Sequence, residues 1–99
     1  MIRIQDLDKV AGVREAVEIL KRYGVRKVIL FGSFARGSGG KYSDIDIAYE
    51  GLAPEVFFRA LGEILSELDR DVDLVDLQEI KDTLRNRIEE EGVLVYEAS

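Results

Sequence analysis

Two aspartates, Asp44 and Asp46, stand one residue apart in the run DIDIAY at 44–49. The run alternates acidic with apolar side chains, which is the period of a strand. Residues two apart on a strand share a face, so Asp44 and Asp46 project together while Ile45 and Ile47 point the other way. Adjoining carboxylates repel, and each raises the other's pKa. No Lys or Arg alternates with them, and Lys41 is the nearest basic residue in the chain. A divalent cation would relieve the repulsion. With no histidine and no cysteine in the chain, any metal must be held by oxygen. That selects a hard cation such as Mg²⁺ or Mn²⁺. A second acidic run, DVDLVDL at 71–77, repeats the pattern, with Asp71 and Asp73 on one face and Val72 and Leu74 on the other. If the two strands are neighbours, a third carboxylate joins the first two, the ligand set of two-metal phosphoryl transfer.

A glycine-rich stretch, GSFARGSGGKYS at 32–43, leads into the first acidic strand. Gly32 follows the apolar run VRKVILF at 25–31, and Ser33 can begin a short helix. Backbone N–H groups at such a junction suit an anion, and glycine lets a phosphate approach closely. The stretch lacks the Gly-Lys-Ser/Thr of a Walker A loop and the spacing of a dinucleotide fingerprint. Taken singly, Gly-Ser is commonly a turn and Asp-x-Asp a solvated strand edge. Their conjunction with a strand before and a second acidic strand after points to a site.

The elements that must hold these residues can be read from periodicity. Val10, Val13, Val17 and Leu20 give a helix over 8–23, capped by Asp6 or Asp8 and ended by Gly24. Strands are expected at 25–31, 44–49, 71–77 and 93–96. Pro54 opens a helix over 54–69 whose stripe of Phe57, Phe58, Leu61, Ile64, Leu65 and Leu68 reads as core. Ile80, Leu84 and Ile88 give a helix over 79–91, stopped by Gly92. The result is an α/β (α+β) fold with helices mainly on one sheet face, the other face remaining open to ligand.

Ninety-nine residues make a single domain, 1–99. Without cysteine there is no disulfide frame and no thiolate zinc site. Fourteen basic and twenty acidic residues give a net charge of −6. That argues against strong nucleic-acid binding, which needs a basic footprint. No run reaches the length of a membrane span, and the N-terminus does not read as a signal peptide, so a cytoplasmic protein is expected. Glu89, Glu90 and Glu91 crowd a helix C-terminus, where the dipole disfavours them. They form a solvated face or an acidic patch for a basic partner.

Gly32-Ser33-Phe34-Ala35-Arg36-Gly37, Ser43-Asp44-Ile45-Asp46-Ile47 and Val72-Asp73-Leu74-Val75 together resemble the nucleotidyltransferase core of the DNA polymerase β superfamily. The size of the chain is similar to that of minimal nucleotidyltransferases, antitoxin-type proteins often paired with a HEPN-domain toxin. The resemblance spans about residues 9–96 and implies a small mixed sheet. It implies that Gly32 and Ser33 contact a nucleoside triphosphate and that Asp44, Asp46 and Asp73 are the catalytic metal ligands. Asp73 is preferred to Asp71 and Asp76 because it precedes Leu74-Val75 as in the family's third acidic strand.

The activity implied is Mg²⁺-dependent transfer of a nucleotide, AMP from ATP being the expected case, to a macromolecular hydroxyl. One ion would sit on all three aspartates and lower the hydroxyl's pKa. A second, on Asp44 and Asp46, would offset charge on the leaving group. The partner implied is a HEPN-type toxin presenting a tyrosine hydroxyl. A rival of another class is a non-catalytic module that neutralises a basic toxin by docking, which the −6 charge favours. An Asp-x-Asp glycosyltransferase is disfavoured, since the chain is too short for that domain.

Overall fold

The computed structural model of the chain describes residues 12–37 and 44–98. Eight elements alternate as α1 (Val13–Arg22), β1 (Lys27–Phe31), α2 (Gly32–Ala35), β2 (Ile45–Glu50), α3 (Pro54–Glu67), β3 (Val72–Asp76), α4 (Asp82–Glu91) and β4 (Val93–Glu97). The sheet order is β3-β2-β1-β4. β1 runs antiparallel to both β2 and β4, while β2 and β3 are parallel. A parallel pair needs a crossover, and α3 supplies it. The sheet is therefore mixed, as expected, and the two acidic strands are neighbours.

One sheet face carries the main core. Leu30, Ile45, Ile47 and Val72 from the strands meet Val13, Ala16 and Leu20 of α1 and Ala60 and Ile64 of α3. The i, i+3, i+7 spacing of the α1 residues is what brings them to one stripe. Gly24, with φ 93°, follows the last turn as the sequence suggests. Asp6 and Asp8, the expected caps, lie outside the described residues.

The opposite face is covered differently. Ile88 of α4 packs on Ile29, Ala48 and Leu77, with Phe31 and Ile80 at the margin. So α4 lies across the face expected to be open and leaves its carboxylate-bearing end uncovered. Two expectations about apolar stripes need correction. Phe58 is 78% exposed and Leu65 45%, because α3 buries only the side bearing Ala60 and Ile64. Leu84 is 43% exposed, so the Ile80–Leu84–Ile88 line is not one buried stripe. α4 also starts later than expected, at Asp82. The preceding residues form a turn in which the Asp76 carboxylate accepts the Gln78 N–H at 2.9 Å. Among the described residues, no helix is long and apolar enough to cross a membrane.

Candidate active site

β2 rises from Asp44 with a burial pattern that alternates at its start: Ile45 and Ile47 are buried, Asp46 half-buried. Asp44 precedes the first strand residue and is exposed. In the parallel ladder Asp46 is the register partner of Asp73. Partners in adjacent strands share a face, so these two carboxyls stand side by side. Asp73 is exposed.

The electrostatics follow from this placement. Burial lifts the Asp46 carboxyl above the usual carboxylate range, and the Asp73 charge lifts it further. The protonated form donates a hydrogen bond to Asp73, and Asp44 adds to the rise. Arg36 pulls in the opposite direction. A carboxyl that resists ionising beside a second carboxylate is an unbalanced donor set.

Gly32 forms the junction. β1 and β2 pair so that Phe31 lies opposite Asp46. Gly32 then turns the chain into α2 with φ 75°. A Cβ at this position would collide with Asp46 Oδ2, so glycine is required both by backbone angle and by space. Ser33 is the second residue of α2 and is half-buried. The Gly-Ser turn and Asp46 are thus in direct contact, although thirteen to fourteen positions separate them in the chain.

The other aspartates of the second acidic strand sit elsewhere. Asp71 precedes β3, is exposed, and its carbonyl accepts the Ile45 N–H at 3.0 Å. Asp76 is the register partner of buried Tyr49, on the main-core face, and its carboxylate caps the Gln78 turn. Among the described residues, no three carboxylates converge closely enough as they stand to enclose an ion. The chemistry of the donors nevertheless fits a hard divalent cation. They are all oxygen, and the strain between Asp46 and Asp73 is what such a cation relieves.

Residues 14–99 match the family model described as "Polymerase beta, Nucleotidyltransferase". The chain belongs to this family. It is a nucleotidyltransferase. It is 34% identical over 83 residues to "Putative protein adenylyltransferase MJ0435" of Methanocaldococcus jannaschii, covering 81% of this chain and 89% of that protein. It also resembles a solved toxin–antitoxin structure with AMP-PNP, with a TM-score of 0.74 and 27% identity, over 87% of this chain and 73% of that one. A further likeness is to the complex of a tri-AMPylated Shewanella oneidensis HEPN toxin with its MNT antitoxin. There the TM-score is 0.67 and the identity 25%, over 88% and 71% of the two chains.

Two features near Asp46 were not part of the expected site of this nucleotidyltransferase, Glu91 having been expected only in a solvated face or an acidic patch. Arg36 closes the Gly-Ser-Phe-Ala-Arg run, and its charge reaches Asp46. On α4, Leu84, Arg87 and Glu91 border a cleft that also touches Gly32 and Arg36. Their i, i+3, i+7 spacing was the available signal, masked by the reading of Leu84 as core.

Proposed function

We propose that this chain transfers AMP from ATP to a hydroxyl of a protein partner, and that Asp44, Asp46 and Asp73 carry the reaction. The observation that carries the reading is the Asp46–Asp73 register pair packed against Gly32. Support for the nucleotide and acceptor comes from the relatives: one is named an adenylyltransferase and another lies in complex with an AMPylated toxin. A HEPN-type toxin with a tyrosine hydroxyl is the partner we infer, in the cytoplasm. Asp44 and Asp73 are exposed, so a hydroxyl borne by a macromolecule can reach them.

In the transfer, the acceptor oxygen forms a bond to the α-phosphorus. The bond from that phosphorus to the bridging oxygen breaks, and pyrophosphate leaves with the electron pair. The hydroxyl proton passes to an Asp73 carboxylate oxygen. Asp44, Asp46 and Asp73 would hold Mg²⁺, which when bound lowers the hydroxyl pKa and offsets charge on the leaving pyrophosphate. Gly32 leaves room for the phosphates, and Ser33 contacts them. Orientation and fixed charge supply most of the rate enhancement.

The test is the melting temperature with Mg²⁺ and each of ATP, GTP, CTP and UTP, for wild type and Asp44→Asn. A ligand at about one hundred times its Kd adds about 2.7 kcal/mol, a shift of roughly 10 °C or more for a domain this small. A Mg²⁺-dependent shift with ATP that Asp44→Asn abolishes supports the reading. No shift with any nucleotide would favour the docking module.

A further inference from the structure

Gly32 and Ser33 open α2, which continues from β1, while Asp73 lies in β3. β2 stands between β1 and β3 in the sheet. The backbone ladder therefore relates the Gly-Ser turn to the third carboxylate only by way of β2. One side-chain contact joins the two directly. The Arg70 guanidinium lies over the Phe34 ring, 5.1 Å from its centroid. Phe34 follows Ser33, and Arg70 stands three positions before Asp73.

Both sides of this contact are anchored. Phe34 is 8% exposed and belongs to the main core cluster, as does Val72 at the start of β3. Arg70 is half-buried. The residue after it, Asp71, accepts the Ile45 N–H through its carbonyl oxygen at 3.0 Å, which ties this stretch to the start of β2. Guanidinium suits the ring, because it is planar, always charged and weakly hydrated. A cation over an aromatic face is drawn to its negative π cloud, and more strongly where water is partly excluded.

We propose that Arg70 is a positioning residue of the transfer reaction, tying the Gly-Ser turn to the start of β3 and so fixing where Asp73 stands relative to Gly32, Ser33 and Asp46. The inference rests on the nucleotidyl-transfer reading. Asp46 is half-buried, lies on a strand paired on both sides and packs against Gly32. Asp73 is exposed on a strand that pairs with β2 alone, so its placement depends more on a second tie. Groups that share one cation must be held within about 0.5 Å of their working positions. Arg70 acts through Asp73 and Phe34, not on the substrate.

The test is Mn²⁺ binding in the presence of AMP-PNP, read by electron paramagnetic resonance below the melting temperature of each variant. Arg70→Ala is expected to weaken Mn²⁺ about tenfold, as loss of a residue that orients metal ligands does. Phe34→Leu, which removes the ring and keeps an apolar side chain in the core, should weaken it similarly. Arg70→Lys, which keeps a cation for the ring, should recover part of the loss. Asp73→Asn should weaken Mn²⁺ too, and adding Arg70→Ala to it should cost less than about twofold more, because the ligand through which Arg70 acts is already gone. An equal loss in both backgrounds would overturn the proposal. So would a lower melting temperature in Arg70→Ala with wild-type Mn²⁺ affinity, the mark of a merely structural contact. A wild type that binds no Mn²⁺ with AMP-PNP would bring down the nucleotidyl-transfer reading and the proposal together. A wild type that binds, with an Arg70→Ala variant that binds equally, would bring down the proposal alone.

Discussion

Asp46 and Asp73 are register partners across the parallel β2–β3 ladder, and the Asp73 charge adds to burial in lifting the Asp46 carboxyl above its ordinary range. The pairing carries an electrostatic cost. Asp46 has a folded pKa above its ordinary value, so ionising it in the folded state is penalised, and the penalty grows as pH rises through that pKa.

Asp46→Asn should separate function from stability. Activity is expected to fall by at least about 100-fold, because a ligand for charge stabilisation is lost. The melting temperature at pH 7 in the presence of a chelator should be unchanged or higher. Activity within about twofold of wild type would contradict the role given to Asp46.

Gly32→Ala should damage both. The substitution forces a side chain onto a φ of 75° and into Asp46. A loss of more than about 1 kcal/mol is expected from urea unfolding. The double variant Gly32→Ala/Asp46→Ala should recover only part of it, since truncating Asp46 removes the collision and leaves the backbone strain.

Alkaline pH should expose Tyr49. Its hydroxyl is pushed up to about 12 by burial first, and then by Asp76 and Glu79. The folded pKa is raised, so the stability it contributes is complete below the unfolded value of about 10 and is lost as pH climbs towards 12. Melting curves between these two values should show a steeper fall for wild type than for Tyr49→Phe.

Gly92→Ala tests the seat of α4. A Cβ there would collide with Ile29 and lie 2.6 Å from the Ile88 carbonyl oxygen. Neither neighbour can retreat without moving α4 or β1. A cost of about 1–3 kcal/mol is expected from denaturant midpoints.

Phe57 and Phe58 should differ although adjacent. Phe58 is 78% exposed, and Phe58→Ser should change stability by less than about 0.5 kcal/mol. Phe57 stacks on buried Tyr49 at 6.1 Å between ring centroids. Phe57→Ala should cost at least about 1 kcal/mol more than Phe58→Ser in the same assay.

The order of elements was legible because each strand has its own period and each helix its own stripe, while the mixed sheet came only with the family resemblance. The face shared by Asp44 and Asp46 was legible for the same reason. What periodicity could not give was how much of a stripe would be used. α3 carries apolar residues around more than half its girth, and only contact with α1 and the sheet decides that Ala60 and Ile64 go in while Phe58 and Leu65 stay out. The neighbourhood of β2 and β3 was a condition in the sequence, not a conclusion, because strand order depends on the α3 crossover. The side of the sheet on which α4 would lie was equally hidden. Leu84 looked like core at helical spacing, but the buried contact of α4 is made by Ile88 on Ile29, Ala48 and Leu77, residues far apart in the chain, and Leu84 is left on the cleft wall.

The sheet order places Asp73 on a terminal strand, bonded to β2 on one side alone. Within the sheet, one row of β3 backbone groups has no strand neighbour. A strand added there by another chain would lengthen the sheet and come to lie beside Asp73.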